Sequence, residues 1–225
     1  MSAAHPPALP AFFLDRVRQL LKDGRRKLLG LVGPPGAGKS TLAMALQHAF
    51  PACTQVVSMD GFHLANAELQ RLGRAASKGS PDTFDSAGYA ALLERLRHQR
   101  ADEIVYAPEF RREIDEAVAG AVAIAPGTPL VITEGNYLLL QAGHWARIAP
   151  LLDDVWYIDV EDTLRTDRLA QRHQQYGRSR EAALQWVAGT DEPNARLIAA
   201  TRPRAQLVFR WDDDRMGAGL VCGRQ

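Results

Sequence analysis

Hydrophobic and polar positions follow two different patterns along this chain. Short apolar runs rich in Leu, Val and Ile are typical of strands buried on both faces of a parallel sheet. They predict strands at 28–32, 55–59, 130–132, 155–160 and 206–211. Between them, apolar residues three to four positions apart, together with start and stop signals, predict helices at 10–23, 39–47, 86–99, 162–175 and 180–187. This alternation predicts one α/β domain over residues 1–225, built on a parallel five-stranded sheet flanked by helices.

Two segments interrupt the alternation. Residues 71–85 are rich in Gly, Ser, Pro and Asp and predict a long loop, which in a compact domain is usually functional or disordered. The short β-like runs 103–107 and 121–125 predict a small hairpin, with Arg111 and Arg112 in its connection. We therefore expect an insertion over about 61–128, on the substrate side of the sheet.

The first predicted helix, 10–23, carries Phe12, Phe13, Val17 and Leu20 at helical spacing. We expect this face to pack against the first strand; an interfacial membrane helix is the alternative, and the mixed charge of its polar face argues against it. No basic leader precedes the helix, and no apolar run approaches eighteen residues. The sequence therefore predicts neither a signal peptide nor a membrane span.

Charge and cysteine content exclude several classes of partner. The chain has 27 Lys and Arg against 26 Asp and Glu, so a basic surface for nucleic acid or an anionic membrane is not expected. Cys53 and Cys222 lack metal-ligand spacing, which fits a reducing compartment. We expect a cytoplasmic protein without nucleic-acid or membrane partners, and a homodimer is the commonest assembly to consider.

The most specific motif is GPPGAGKST, residues 33–41, between the first strand and the second helix. It matches the phosphate-binding loop (P-loop), in which glycines turn backbone N–H groups onto phosphate and the helix N-terminus adds its positive dipole end. Lys39 would serve the outer phosphates, and the Ser40 hydroxyl would bind Mg²⁺. The alternative is a plain Gly/Pro turn, which needs neither the lysine nor the hydroxyl. The predicted nucleotide-binding residues are Gly33, Pro34, Pro35, Gly36, Ala37, Gly38, Lys39, Ser40 and Thr41.

Two acids follow predicted strands. Asp60 ends the strand at 55–59, and Glu134 ends the strand at 130–132. Both are expected at the carboxyl edge of the sheet, where doubly wound folds bind ligands. Asp60 is a candidate general base or metal ligand, with a turn-forming Asp as the alternative, and Glu134 is a candidate Mg²⁺ carboxylate. We expect the neighbouring His63 and Asn136 to contact a substrate.

The predicted insertion supplies further polar side chains. In the loop these are Lys78, Thr83 and Asp85, and in the hairpin connection Arg112, whose guanidinium could bind an anionic or hydroxylated ligand. We predict that these four residues bind substrate. Solvated surface charge is the alternative for both segments.

The helix at 162–175 carries Arg165, Arg168, Arg172 and His173. The three arginines are three to four positions apart and are expected to share one face. With the helix at 180–187 they would form a lid over about 162–190, in which Arg168 and Arg172 offset phosphate charge and exclude water. A solvated basic face is the alternative.

The order of motifs GPPGAGKST, VVSMDGFH, KGSPDTFD, YAPEFRREID and VITEGNYLL resembles the uridine kinase, phosphoribulokinase and prokaryotic pantothenate kinase group of P-loop kinases. Within it, the chain is most similar to the bacterial subfamily labelled fructose-transport-associated or nucleoside/nucleotide kinases. The resemblance implies the P-loop NTPase fold and points to Asp60, Asp85 and Glu134. The chain departs from the pattern at Arg112, where uridine and pantothenate kinases carry His, and lacks the pantoate-binding extension of pantothenate kinases.

These observations predict a kinase that uses ATP and Mg²⁺ to phosphorylate a hydroxyl group of a sugar, polyol, vitamin or nucleoside. A nucleotide-dependent ATPase or switch that acts on a protein partner is the rival interpretation. It would need no polar pocket for an acceptor. Nucleic-acid processing is disfavoured by the balanced charge.

Overall fold

A five-stranded parallel sheet forms the centre of the computed structural model, which describes residues 9–210. Within that range the strands are β1 Lys27–Val32, β2 Thr54–Ser58, β3 Val105–Arg111, β4 Glu116–Ile124, β5 Leu130–Gly135, β6 Asp154–Asp159 and β7 Leu207–Arg210. The helices are α1 Ala11–Leu20, α2 Lys39–Ala49, α3 Asn66–Arg71, α4 Ser86–Arg97, α5 Asp162–Gln175, α6 Arg180–Trp186 and α7 Glu192–Ala199.

The order of the strands in this sheet is β2-β5-β1-β6-β7, and every pair is parallel. The predicted parallel five-stranded sheet is therefore confirmed. Because β1 is central and β5 lies between β1 and β2, the residues that follow these three strands meet at one edge of the sheet. That edge is where the P-loop, Asp60 and Glu134 lie.

Side-chain alternation along the central strands divides the core between the two faces of the sheet. In β1, Leu29 and Leu31 belong to the apolar cluster that includes α1 and α2, whereas Leu28 and Val32 belong to the cluster that includes α4. Such strands must be apolar at every position, which explains the continuous runs in the sequence. No helix within residues 9–210 combines the length and the hydrophobicity needed to cross a membrane.

The apolar face of α1 packs on the sheet, as expected. Phe13 and Val17 are buried, and the Phe13 ring lies 5.5 Å from that of Trp156. Arg16 on the same helix pairs with Asp154 at 2.7 Å. The apolar face of α1 is therefore covered by the sheet.

The small hairpin is formed by β3 and β4 as a separate two-stranded antiparallel sheet. Its strands extend further than the sequence indicated, so Arg111 ends β3 and only Arg112 lies in the connection. The hairpin packs tightly beneath the turn after β2: a Cβ on Gly61 would lie 2.4 Å from the Pro108 carbonyl oxygen. The absent side chain at Gly61 thus makes room for the hairpin backbone.

Other boundaries also differ from the predictions. Strand β2 ends at Ser58 because Met59–Phe62 form a 3-10 turn. The predicted loop 71–85 contains the end of α3 and two short 3-10 turns. Helix α7 was not predicted. Trp211 of the last predicted strand, the C-terminal tail and Cys222 lie outside the described residues.

Candidate active site

The P-loop joins β1 to α2, as predicted. Gly36 and Gly38 have φ of +81° and +86°, which only glycine adopts without strain. Gly36 is also confined by α5, since a Cβ there would lie 2.9 Å from the Arg165 carbonyl oxygen. The loop is therefore shaped both by its own glycines and by the helix packed above it. Its backbone N–H groups and the N-terminus of α2 could hold phosphate.

Lys39 is buried at the start of α2. Its Nζ donates hydrogen bonds to the carbonyl oxygens of Gly33 at 2.9 Å and Pro34 at 3.1 Å, and to Oδ1 of Asn136 at 2.7 Å. Burial lowers the pKa of Lys39 to about 8, although the nearby Glu134 carboxylate partly opposes that shift. The Lys39 ammonium group is thus held inside the loop by three neutral acceptors.

Glu134 is buried at the end of β5 between two hydroxyl groups. Its Oε1 accepts from Ser58 Oγ at 2.6 Å and from Ser40 Oγ at 3.2 Å. Burial and the neighbouring Asp60 carboxylate raise the pKa of Glu134. Within the described part of the chain no group of three or more His, Cys, Asp or Glu could hold a metal by itself. The adjacent Ser40 hydroxyl and Glu134 carboxylate are suitable ligands for Mg²⁺. In proteins this ion binds few protein oxygens and completes its coordination shell with water and substrate phosphate.

Asp60 lies in the 3-10 turn after β2. Its backbone N–H donates to Ser58 Oγ at 3.2 Å, and its carboxylate lies 3.5 Å from the Arg112 guanidinium. Both side chains remain partly exposed, at 30% for Asp60 and 39% for Arg112. The hairpin thus brings Arg112 to the sheet edge, beside an acid that reaches solvent.

Two cavities meet at this edge. The large cavity, about 530 Å³, lies between the sheet edge, the hairpin, the segment 75–84 and the segment 172–194. The small cavity, about 390 Å³, lies between the P-loop and α5. Both are lined by Gly36, Lys39, Ser40, Arg112 and Arg172. Asp60, His63, Glu134 and Asn136 line only the large cavity.

His63 and Lys78 line the large cavity in fixed positions. The His63 ring lies 4.0 Å from that of Phe84 and 4.7 Å from that of Phe110, and its Nδ1 donates to the Asp60 carbonyl oxygen at 2.8 Å. Burial lowers the pKa of His63 and keeps the ring neutral. Lys78 is held by Asp115 at 2.8 Å. Lys78 Nζ also donates to Asn66 Oδ1 at 2.7 Å and to the Asp115 carbonyl oxygen at 2.6 Å, so its three hydrogen-bond donors are all held by protein.

Thr83 and Asp85 are not among the residues that line either cavity. The Thr83 hydroxyl is buried, accepts from the Gly79 N–H at 3.0 Å and donates to the Ser80 carbonyl oxygen at 2.8 Å. Asp85 caps α4 by accepting from the Gly88 N–H at 2.8 Å. Both side chains are therefore committed to shaping the loop, in contrast to the direct substrate contact predicted from the sequence.

The three arginines of α5 divide between protein and cavity. Arg165 is fully buried and pairs with Asp162 at 3.0 Å and with Glu192 of α7, so it fastens α5 to its neighbours. Arg168 lines the small cavity with its guanidinium 3.5 Å from the Gly36 carbonyl oxygen. Arg172 lines both cavities, and burial together with repulsion from Arg112 lowers its pKa. Only the last two can reach a ligand.

Sequence reasoning missed several residues at the site. Ser58 carries no motif of its own, although its place two residues before Asp60 put it at the strand end. The wall formed by 176–194 includes Arg178, Trp186 and Asn194. The predicted lid covers most of this segment, but no motif or spacing singled out these three side chains. His173 also lines the large cavity, and its Nε2 donates to Asp191 at 2.9 Å.

Comparison with known proteins adds to this geometry. Residues 28–215 match the model of the phosphoribulokinase/uridine kinase family. The protein YggC of Escherichia coli is 32% identical over 210 residues, which cover 91% of this chain and 86% of that protein. The pantothenate kinase of Leifsonia xyli is 30% identical over 224 residues, 86% of this chain and 68% of that enzyme.

A solved structure from Silicibacter sp. TM1040, a kinase provisionally assigned to a fructose transport system, is 37% identical to this chain. It superimposes with a TM-score of 0.78 over 90% of this chain and 98% of that one. The chain therefore belongs to the phosphoribulokinase/uridine kinase family of P-loop kinases.

Proposed function

We propose that this protein is a kinase that uses ATP and Mg²⁺ and transfers the γ-phosphoryl group to a hydroxyl group of a small metabolite, a sugar, polyol, vitamin or nucleoside. The observation that carries the proposal is the pair of cavities that share Lys39, Ser40, Arg112 and Arg172. A nucleotide on the P-loop would place its terminal phosphate at that shared wall. The large cavity would hold the acceptor on the other side.

The residues of the small cavity fit the nucleotide. The glycine turns present N–H groups to the α- and β-phosphates, and Lys39 can leave its carbonyl acceptors for the outer phosphates. Arg168 and Arg172 offset negative charge from the α5 side. We infer that α5 and the segment after it form the predicted lid.

Ser40 and Glu134 would hold Mg²⁺. The ion, when bound, neutralises phosphate charge that develops during transfer. Ser58 keeps the Glu134 carboxylate oriented by donating to the same oxygen that faces Ser40.

Asp60 is the proposed general base on the acceptor side. Its carboxylate would accept the proton of the acceptor hydroxyl while that oxygen bonds to the γ-phosphorus, and the bond to the bridging β–γ oxygen breaks to release ADP. Arg112, 3.5 Å away, would hold the carboxylate in place. Asn136 accepts a hydrogen bond from Lys39, and this bond would break when the lysine moves to the phosphates.

The rival interpretation, an ATPase or switch acting on a protein partner, needs only enough room for a water. The large cavity is many times that size and its polar lining comes from three separate elements, which supports a metabolite acceptor.

A test is a panel of hydroxylated metabolites scored by ATP consumption, with Lys39→Ala protein prepared in parallel to remove the contribution of contaminating kinases. We expect at least one metabolite to raise the rate of ADP release above the rate without acceptor, in the wild type alone. Stimulation only by a protein partner, with phosphate released to water, would favour the switch.

A further inference from the structure

The large cavity has one wall that phosphoryl transfer as described does not use. It consists of Arg178, just after α5, and Trp186, at the end of α6. The Arg178 guanidinium carbon lies 3.9 Å from the centroid of the Trp186 ring. Neither residue lines the small cavity. This wall therefore belongs to the chamber assigned to the acceptor.

Most charges in that chamber are compensated by protein. Lys78 lies 2.8 Å from Asp115, and Arg112 lies 3.5 Å from Asp60. Arg178 differs: among the described residues, no carboxylate lies within ion-pair distance of its guanidinium, and its contacts are the Trp186 ring and a backbone hydrogen bond. A guanidinium without a counter-charge at a cavity wall is a place for an anion.

Arg172 also lacks a carboxylate at ion-pair distance within the described range, but it lines both cavities and so lies where the transferring phosphoryl group would be. Arg178 is confined to the large cavity. The location of Arg172 therefore suits the nucleotide phosphate, whereas the location of Arg178 suits the acceptor.

Stacking on an indole leaves the edge of a guanidinium free. The N–H donors of arginine lie in the plane of the group and match the two oxygens of a carboxylate or phosphate. The same contact covers one face of Trp186, which is then closed to the flat base of a nucleoside.

We propose that the acceptor is an anionic hydroxylated metabolite whose carboxylate or phosphate group binds Arg178 where that residue stacks on Trp186. This inference rests on the proposed kinase function and narrows its acceptor to hydroxy acids and sugar phosphates. Arg178 is then a specificity-determining residue.

The first experiment compares neutral and anionic compounds that share a carbon skeleton: glycerol with glycerate, glucose with gluconate, and fructose with fructose 6-phosphate. ATP consumption is measured with each. We expect kcat/KM to be at least about tenfold higher for the anionic member of a pair, equivalent to ~1.4 kcal/mol. Glycerate and gluconate test recognition of a carboxylate, and fructose 6-phosphate tests recognition of a phosphate group. Phosphorylation of a neutral member at an equal or higher kcat/KM would overturn the inference and leave the kinase assignment standing.

The second experiment replaces Arg178. With the best anionic acceptor, Arg178→Gln should raise the KM for that acceptor about tenfold or more, while the KM for ATP changes less than about threefold. Arg180→Gln is the matched control, because Arg180 is also an exposed arginine of this segment but lines neither cavity. Equal acceptor KM values in the two variants would contradict a role for Arg178.

A third measurement does not depend on turnover. With a non-hydrolysable ATP analogue and Mg²⁺ filling the P-loop, inorganic phosphate is titrated by calorimetry, with potassium chloride at matched ionic strength as the blank. We expect saturable binding in the wild type and in Arg180→Gln, weakened at least about tenfold in Arg178→Gln. Phosphate binding without phosphorylation of any compound would refute the kinase proposal alone. No saturable binding, or equal binding in both variants, would refute the anion site.

Discussion

At the scale of the residue, burial of Lys39 gives the P-loop a cation whose charge depends on pH. Because its pKa is lowered to about 8, the free protein loses this charge as pH rises through that value. The phosphates of a bound nucleotide favour the charged form and raise the pKa again. We expect kcat/KM for ATP, or the affinity for a non-hydrolysable analogue, to fall above pH 8 while kcat at saturating ATP falls only at higher pH.

The Lys39→Arg variant provides the control for this pH profile, because a guanidinium keeps its charge throughout the range. The affinity of this variant for the ATP analogue, measured by calorimetry, should then show no inflection near pH 8 when plotted against pH. If the inflection persists in Lys39→Arg, a group other than Lys39 is responsible for it.

Asp60 allows a second test at this scale. Asp60→Asn preserves shape and removes the proton acceptor, so turnover should fall by about 10² to 10⁴. Affinity for ATP with Mg²⁺, measured by calorimetry, should change less than about tenfold. Loss of metal-dependent ATP binding in parallel with turnover would instead make Asp60 a Mg²⁺ ligand.

The matched control is Asp85→Asn. Asp85 caps α4, and Asn caps helices about as well as Asp, so both stability and turnover should be retained. A raised KM for the acceptor in this control would instead restore the substrate contact that the sequence predicts for Asp85.

At the scale of the element, helix α5 presents its arginines to two different environments. Arg165 is paired inside the protein, whereas Arg172 is half-buried beside Arg112, and desolvation together with repulsion from Arg112 lowers its pKa. Among residues 9–210 no carboxylate lies within ion-pair distance of Arg172, and a desolvated charge without such a partner contributes little stability to the fold. Arg172→Ala should therefore reduce kcat at least about a hundredfold, as loss of a transition-state donor does, while the thermal midpoint stays constant or rises.

Gln171→Ala, an exposed position on the same helix, should change neither quantity. If Arg172→Ala has normal kinetics, Arg172 is part of a solvated basic face of α5 with no role in phosphoryl transfer. A lower thermal midpoint would show that Arg172 has a structural partner.

The hairpin is positioned by a contact that a single methyl group would break. Gly61→Ala would place its Cβ 2.4 Å from the Pro108 carbonyl oxygen, so the turn that carries Asp60 or the hairpin that carries Arg112 must shift. We expect the free energy of unfolding to fall by about 1 to 3 kcal/mol in a urea titration. Gly127→Ala, where no atom lies within 4 Å of the added carbon, should be neutral. A neutral Gly61→Ala would mean that the hairpin packs more loosely than described.

At the scale of the whole molecule, the site joins the sheet edge, the hairpin and the α5–α7 segment. A ligand that bridges these elements should stabilise the native state as a unit. A non-hydrolysable ATP analogue with Mg²⁺ at a hundredfold excess over its Kd should add about 2.7 kcal/mol, which for a chain of this size raises the thermal midpoint by about 5 to 10 °C.

In Lys39→Ala the shift caused by the same ligand concentration should largely disappear, because the affinity falls. In Ser40→Ala the difference between shifts with and without Mg²⁺ should shrink. An equal shift in the wild type and in both variants would place the nucleotide away from the P-loop.

The sequence by itself determined the parallel sheet, the P-loop and the limits of α5. These features are local: a strand buried on both faces must be apolar at consecutive positions, and a phosphate loop is made by adjacent residues. The placement of Asp60 and Glu134 at one sheet edge followed from the same logic, because both come directly after strands.

Only the tertiary structure decided which polar side chains meet. Helical spacing put Arg165, Arg168 and Arg172 on one face, but whether part of that face touches protein depends on α7, which the sequence did not reveal. The pairing of Arg112 with Asp60 required the hairpin to pack against Gly61, and the stacking of Arg178 on Trp186 required α6 to fold back after α5. Such contacts join residues far apart in the chain, and no periodicity within a single segment encodes them.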